Sequence, residues 1–163
     1  MAVAIPGLST LGVTFSYGIE TVAGQKPSSF IQLPRCNDIS EITLGTETID
    51  ASALEDMQKR YVAGAQDSGG NWDVTFNFTN ETIPILKKMM SDSAAGLAEN
   101  KRTWFQISVP AMTDAFFVVG QPGSKLPLPA IAQNELLTGA VSIAIDEYVG
   151  LDTKVALTDE AAL

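Results

Sequence analysis

The run Trp72-Asp73-Val74-Thr75-Phe76-Asn77-Phe78 sets four bulky apolar side chains alternately with three polar ones. A period of two belongs to a strand with one buried and one wetted face. Trp72, Val74, Phe76 and Phe78 are therefore expected to face a core, and Asp73, Thr75 and Asn77 to face water or a polar channel. On a helix the same residues would scatter around the axis. This one segment commits the chain to a sheet that needs an apolar layer against it.

The alternation recurs. From Leu137 to Val149, Val141, Ile143 and Ile145 share one face while Ser142, Ala144 and Asp146 share the other. From Thr103 to Val109, Thr103, Phe105, Ile107 and Val109 oppose Trp104, Gln106 and Ser108. Val13 to Glu20, Asp38 to Leu44 and Ala115 to Gly120 are further strand candidates, rich in β-branched or aromatic residues and bounded by Gly, Pro or Asn. A helix is expected from about Asn80 to Asn100, capped by Thr79 or Asn80, with Pro84 in its first turn and Ile83, Leu86, Met90 and Leu97 on one stripe. In a chain of 163 residues this predicts a mainly β fold: an antiparallel β-sandwich or partial barrel with one flanking α-helix.

Between the strands lie two excursions. Residues 45–70 carry Glu47, Asp50, Glu55, Asp56, Lys59, Arg60 and Asp67 among few large apolar groups, and read as a long loop, a feature that in a compact domain is usually functional or disordered. Gln121 to Pro129 is held extended by Pro122, Pro127 and Pro129. No linker or internal repeat divides the chain, so residues 1–163 are expected to form a single domain.

The composition excludes several chemistries. The chain has no His and one Cys, Cys36, which removes His-assisted Ser or Cys catalysis, His-ligated zinc and any internal disulfide. A net charge of −9 argues against tight nucleic-acid binding. No run approaches the roughly 18 apolar residues of a membrane span, and Met1 to Val13 lacks the basic start of a signal peptide. The acceptor-like triplets Asn77-Phe78-Thr79 and Asn80-Glu81-Thr82 are then better read as strand end and helix cap.

Other patterns are weak. Asp67, Asn71 and Asp73 miss the alternate-ligand spacing of a calcium loop. Asp146 and Glu147, as strand neighbours, should point to opposite faces and cannot flank one bond; they read as exposed charges at a strand end. Gly120 to Lys125 lacks the spacing of a phosphate loop. Lys87-Lys88 beside Met89-Met90 are the wet and buried faces of one helix. Trp72 and Trp104 could stack sugars; Trp72 serves equally as a core anchor, and Trp104 opposes the apolar phase of its strand. No catalytic, metal or cofactor residue is assigned.

Three ordered segments carry a resemblance: Asp38-Ile39-Ser40-Glu41-Ile42, then Glu47-Thr48-Ile49-Asp50-Ala51-Ser52-Ala53-Leu54-Glu55-Asp56, then Tyr61-Val62-Ala63-Gly64-Ala65-Gln66-Asp67-Ser68-Gly69-Gly70 leading into Trp72 to Phe78. Together with the following helix, aromatic strand and C-terminal strands, this order resembles the tail tube (major tail) proteins of long-tailed bacteriophages over roughly residues 8 to 150. The chain departs at Ala63, where Pro is frequent, and shows a short acidic tail after Val149 in place of an immunoglobulin-like module.

The resemblance implies a non-enzymatic virion protein, made in the host cytoplasm, that closes as six copies into rings stacked into a tail tube for DNA ejection. It implies an N-terminal arm at residues 1–12, an inter-ring stacking loop at 45–70 with Glu47, Asp50, Leu54, Glu55, Tyr61 and Asp67, and a C-terminal tail at 150–163. Partners would be further copies of the chain and the tape measure, tail terminator and baseplate proteins, with no membrane and no specific DNA binding. Glu41 and Thr43, on a strand expected to pair with Trp72 to Phe78, would join Asp73, Thr75 and Asn77 in lining the bore. Six copies of an acidic chain suit a bore that repels DNA. A carbohydrate-binding sandwich, a carboxylate-based hydrolase and the tube protein of a contractile secretion system are the alternatives.

Overall fold

The structure, a computed structural model, describes residues 7–158. Its elements are β1 (Thr14–Ile19), β2 (Phe30–Leu33), β3 (Cys36–Ile39), β4 (Gly45–Asp50), β5 (Tyr61–Asp67), β6 (Asn71–Asn77), α1 (Thr82–Ala98), β7 (Thr103–Ser108), β8 (Asp114–Pro122), β9 (Thr138–Thr153) and β10 (Leu157–Thr158). One sheet runs in the order β10-β2-β1-β7-β8-β9-β6-β3, and β4-β5 form a separate pair. Neighbours are antiparallel except β10, which lies parallel to β2.

The large sheet rolls without closing into a barrel, leaving β10 and β3 as its ends. Phe15 on β1 stacks on Phe105 of the adjacent β7 at 5.6 Å, yet it also meets Trp72 and Phe76 of β6 at 5.7 and 5.8 Å. Three strands separate β1 from β6, so those contacts cross the inside of the roll. Two bulges in β9 supply curvature: the register slips between Phe117 and Val118 and between Val119 and Gly120, leaving Val149 and Asp146 as extra residues.

Inside the roll, Trp72, Val74, Phe76, Val141 and Ile143 are buried as their alternation predicts, together with Phe15, Tyr17, Leu33, Phe105 and Val118. Phe78 falls just past β6, half-buried, with its ring against Gly139, where an added Cβ would collide with it. Helix α1 packs Leu86, Met89 and Met90 into the same core. The Thr79 hydroxyl caps it, accepting from the Thr82 N–H at 3.0 Å, and Asn100 ends it at φ 61°.

Several expectations are corrected. Leu97 is 60% exposed although its position falls on the helix stripe, whose buried residues run through Met90 and Ser93 to Gly96. Gly96 fits there because a Cβ would come within 3.0 Å of Ile19. Strand β7 is buried on both faces: Trp104 joins Phe30, Ala115, Phe117 and Val119 in a second core on the outside of the roll. That core is covered by residues expected to form a tail. Strand β9 runs on to Thr153, Leu157 pairs with Phe30, and the Gln106 amide holds Val155 by two hydrogen bonds of 3.0 and 3.1 Å. Residues 159–163, like residues 1–6 of the expected N-terminal arm, lie outside the described residues.

Most of the expected loop at 45–70 is instead a hairpin of β4 and β5. Strand β3 does pair with β6 but ends at Ile39, so Glu41 and Thr43 follow it and are not on a paired strand. Strand β2, four residues bounded by Pro27 and Pro34, was too short to show a period.

Candidate assembly surfaces

The outer faces of β3, β6 and β9 form one surface. Register sets Asp73 opposite Ser142 and Thr75 opposite Ala140, with Asp38 on the far side of Thr75. Asp38, Asp73, Ala140, Ser142 and Ala144 are exposed and Thr75 is half-buried. None of the three strands contains Lys or Arg. The surface is thus small-featured, polar and acidic. Asn77 differs from its strand-mates, because its Oδ1 is buried without a hydrogen-bond partner among the described residues. Glu41 and Thr43 are exposed beyond β3.

The second surface is the hairpin arm. All six residues of β4 are exposed, as are six of the seven in β5. Glu47 and Asp50 lie on β4, Leu54 and Glu55 in the tip, and Tyr61 and Asp67 at the ends of β5. Ile49, Tyr61 and Val62 are more than half exposed, and Leu54 and Met57 fully so. The tip is nevertheless shaped: the Ser52 N–H donates to Asp50 Oδ1 at 2.9 Å, Ala53 N–H to Asp56 Oδ2 at 2.8 Å, and Arg60 N–H to Ser52 Oγ at 2.8 Å. The first of these bonds holds the Asp50 carboxyl below its usual range. Such an arm leaves apolar side chains uncovered by the other described residues.

Elsewhere, Glu20 and Arg102 form a structural node. Glu20, its side chain fully buried, accepts from the Arg102 N–H at 2.7 Å and from the Trp104 indole at 3.0 Å. Burial pushes its carboxyl up, but bonds from the Arg102 backbone, the Trp104 indole, the Arg102 guanidinium and the Gly24 backbone outweigh burial and hold it below the usual range. Arg102 Nη1 also reaches Asp146 at 3.4 Å and Glu147 at 3.0 Å. These two carboxylates were expected on opposite faces at a strand end. They lie within β9 and on one side, because Asp146 is a bulge residue. Neither Trp is a sugar platform: Trp72 is buried with its indole on the Ser40 carbonyl at 2.7 Å, and Trp104 is 6% exposed. Burial and the charge of Asp38 push the Cys36 thiol up to about 11, too high for a nucleophile at neutral pH.

Among the described residues no cluster of metal-ligating side chains occurs, and no helix is long and apolar enough to cross a membrane. The sequence could have pointed to Asp38, which opens a strand candidate. The covered outer core and the Glu20 node carry no such signal, since both join residues far apart in the chain.

No protein-family pattern and no curated protein sequence matches the chain. The fold does match solved structures. A chain in the six-fold symmetrised baseplate of the anti-feeding prophage superposes with a TM-score of 0.54 at 11% identity, over 94% of this chain and 100% of that one. A chain in the tail of an empty GTA particle, of C6 symmetry, superposes with a TM-score of 0.52 at 13% identity, over 88% of this chain and 96% of that one.

Proposed function

We propose that this chain is a structural, non-enzymatic subunit of a phage-type tail, which closes as six copies into rings and stacks them into a tube for DNA passage. The observation that carries the reading is the arm. A self-shaped hairpin with exposed Ile49, Leu54, Met57, Tyr61 and Val62 has no covering layer among the described residues of its own protomer, as expected of an inter-ring contact. The whole-length fold match to chains of six-fold symmetric tail and baseplate particles supports it.

In this reading the β3-β6-β9 outer face lines the bore, with Asp38, Asp73 and Thr75 toward the passing DNA. A wall without basic groups does not collect phosphate contacts and lets the duplex slide. The tape measure, terminator and baseplate proteins would be the remaining partners, and the virion tail its location. A place in the baseplate is a second reading, favoured by the first fold match. Negative-stain microscopy of the concentrated protein tests both: stacked tubes with an open lumen support the tube, single discs that do not stack support the baseplate, and monomers at every concentration refute self-assembly.

A further inference from the structure

Between the segment after β3 and strands β7, β8 and β9 lies an open groove of about 280 Å3, lined mainly by Ile39, Ile42, Trp72, Phe116, Val118 and Tyr148. It opens on the core side of the roll, away from the acidic outer face. The exposed Glu41 is among its lining residues, which include no basic side chain. The arm leaves the body at Gly45, just past Ile42. Its strands of six and seven residues put the tip about 20 Å from that departure point, at roughly 3.4 Å per residue. An arm of that length separates its tip from the point where it joins the body, which leaves the tip free to meet a surface of another molecule.

The tip and the groove match in chemistry. Leu54 and Met57 are 109% and 101% exposed, and they sit in a turn already braced by its own hydrogen bonds, so little ordering is left for binding to impose. Beside them Lys59 and Arg60 form a basic pair, with the Arg60 side chain 77% exposed and 3.8 Å from Asp56. We propose that the groove receives Leu54 and Met57 from the arm tip of a second copy of this chain, with Lys59 and Arg60 facing Glu41. This inference rests on the tube reading and names the surface on which the arm lands. Because tip and groove are different surfaces, the contact is head-to-tail and leaves a free tip and a free groove after each addition, the condition for open-ended growth.

Paired cysteines test it: Leu54→Cys with Ile42→Cys, in a Cys36→Ser background, oxidised under assembly conditions and run on a non-reducing gel. The expected result is a reducible ladder extending beyond dimers, with dimers at most from either single variant. Tubes in the micrographs without such a ladder overturn the groove assignment and leave the tube reading standing. No tubes from the unsubstituted chain overturn the tube reading and this inference with it. A charge pair gives a second arm that does not depend on disulfide geometry. Glu41→Lys should lower tube yield by at least about tenfold through like-charge repulsion, and Lys59→Glu with Arg60→Glu in the same chain should restore it. All three positions are exposed, so folding is not at stake. Unchanged yield with Glu41→Lys, or no restoration, also overturns the assignment.

Discussion

Phe76 is 1% exposed and meets Phe15 across the roll at 5.8 Å, so its loss leaves a hole that no loop can fill. Phe76→Ala should cost about 3–5 kcal/mol, read by chemical denaturation; a loss under about 1 kcal/mol would mean that the inward phase of β6 is misassigned. Glu20 gives a pH signature. Its carboxyl is held below the usual range, so its contribution is complete above the unfolded-state value of about 4.3 and is lost as pH falls through the lower folded value. Glu20→Gln should cost roughly 1–3 kcal/mol at pH 7, and the gap between the variant and the unsubstituted protein should narrow below about pH 4. Thermal melts across that range check it, and a constant gap would show that Glu20 acts through packing alone.

Two elements differ in how separable they are. The arm pairs only within itself in the sheet order, so replacing Glu47 to Asp67 by a short Gly-Ser linker should leave the melting temperature of the body nearly unchanged while abolishing tubes. Normal tubes from that variant would remove the arm from assembly. The C-terminal strap is the opposite case, because it covers the second core. Gln106→Ala removes both bonds to Val155 and should cost roughly 1–3 kcal/mol, with faster amide exchange over residues 149–158 and no change around β6. Uniform protection would show that β10 alone holds the strap.

In the proposed tube the decisive property is the sign of the bore. Asp73→Lys with Thr75→Lys places two cations on the outer face of β6 in each copy, repeated six times around each ring of that proposed assembly. Tubes should keep their diameter but retain DNA, with ejection slowed at low ionic strength and recovering as salt screens the wall. Failure of the rings to form would make this face a subunit contact, and unchanged ejection at every salt concentration would place it on the outside.

The alternation in Trp72 to Phe78, and again before Val149, made the strands, their inward residues and the helix legible, because period and side-chain size are local properties. The same local logic failed wherever a long-range contact set the outcome. Asp146 and Glu147 share a side because pairing with β8 leaves Asp146 as a bulge residue, and Trp104 is buried because a segment some fifty residues later crosses it. Leu97 is exposed, although it fits the stripe, because Ile19 packs where Gly96 leaves room. The polar composition of residues 45–70 announced a segment outside the core, but not a hairpin, since pairing of β4 with β5 is a cooperative choice between two weak strands. The sequence alone therefore determined which faces are apolar and that the chain builds a sheet. Which of those faces meet, and which are left bare, was decided by the roll, because closing distant strands over one another is a property of the whole sheet and of no single segment.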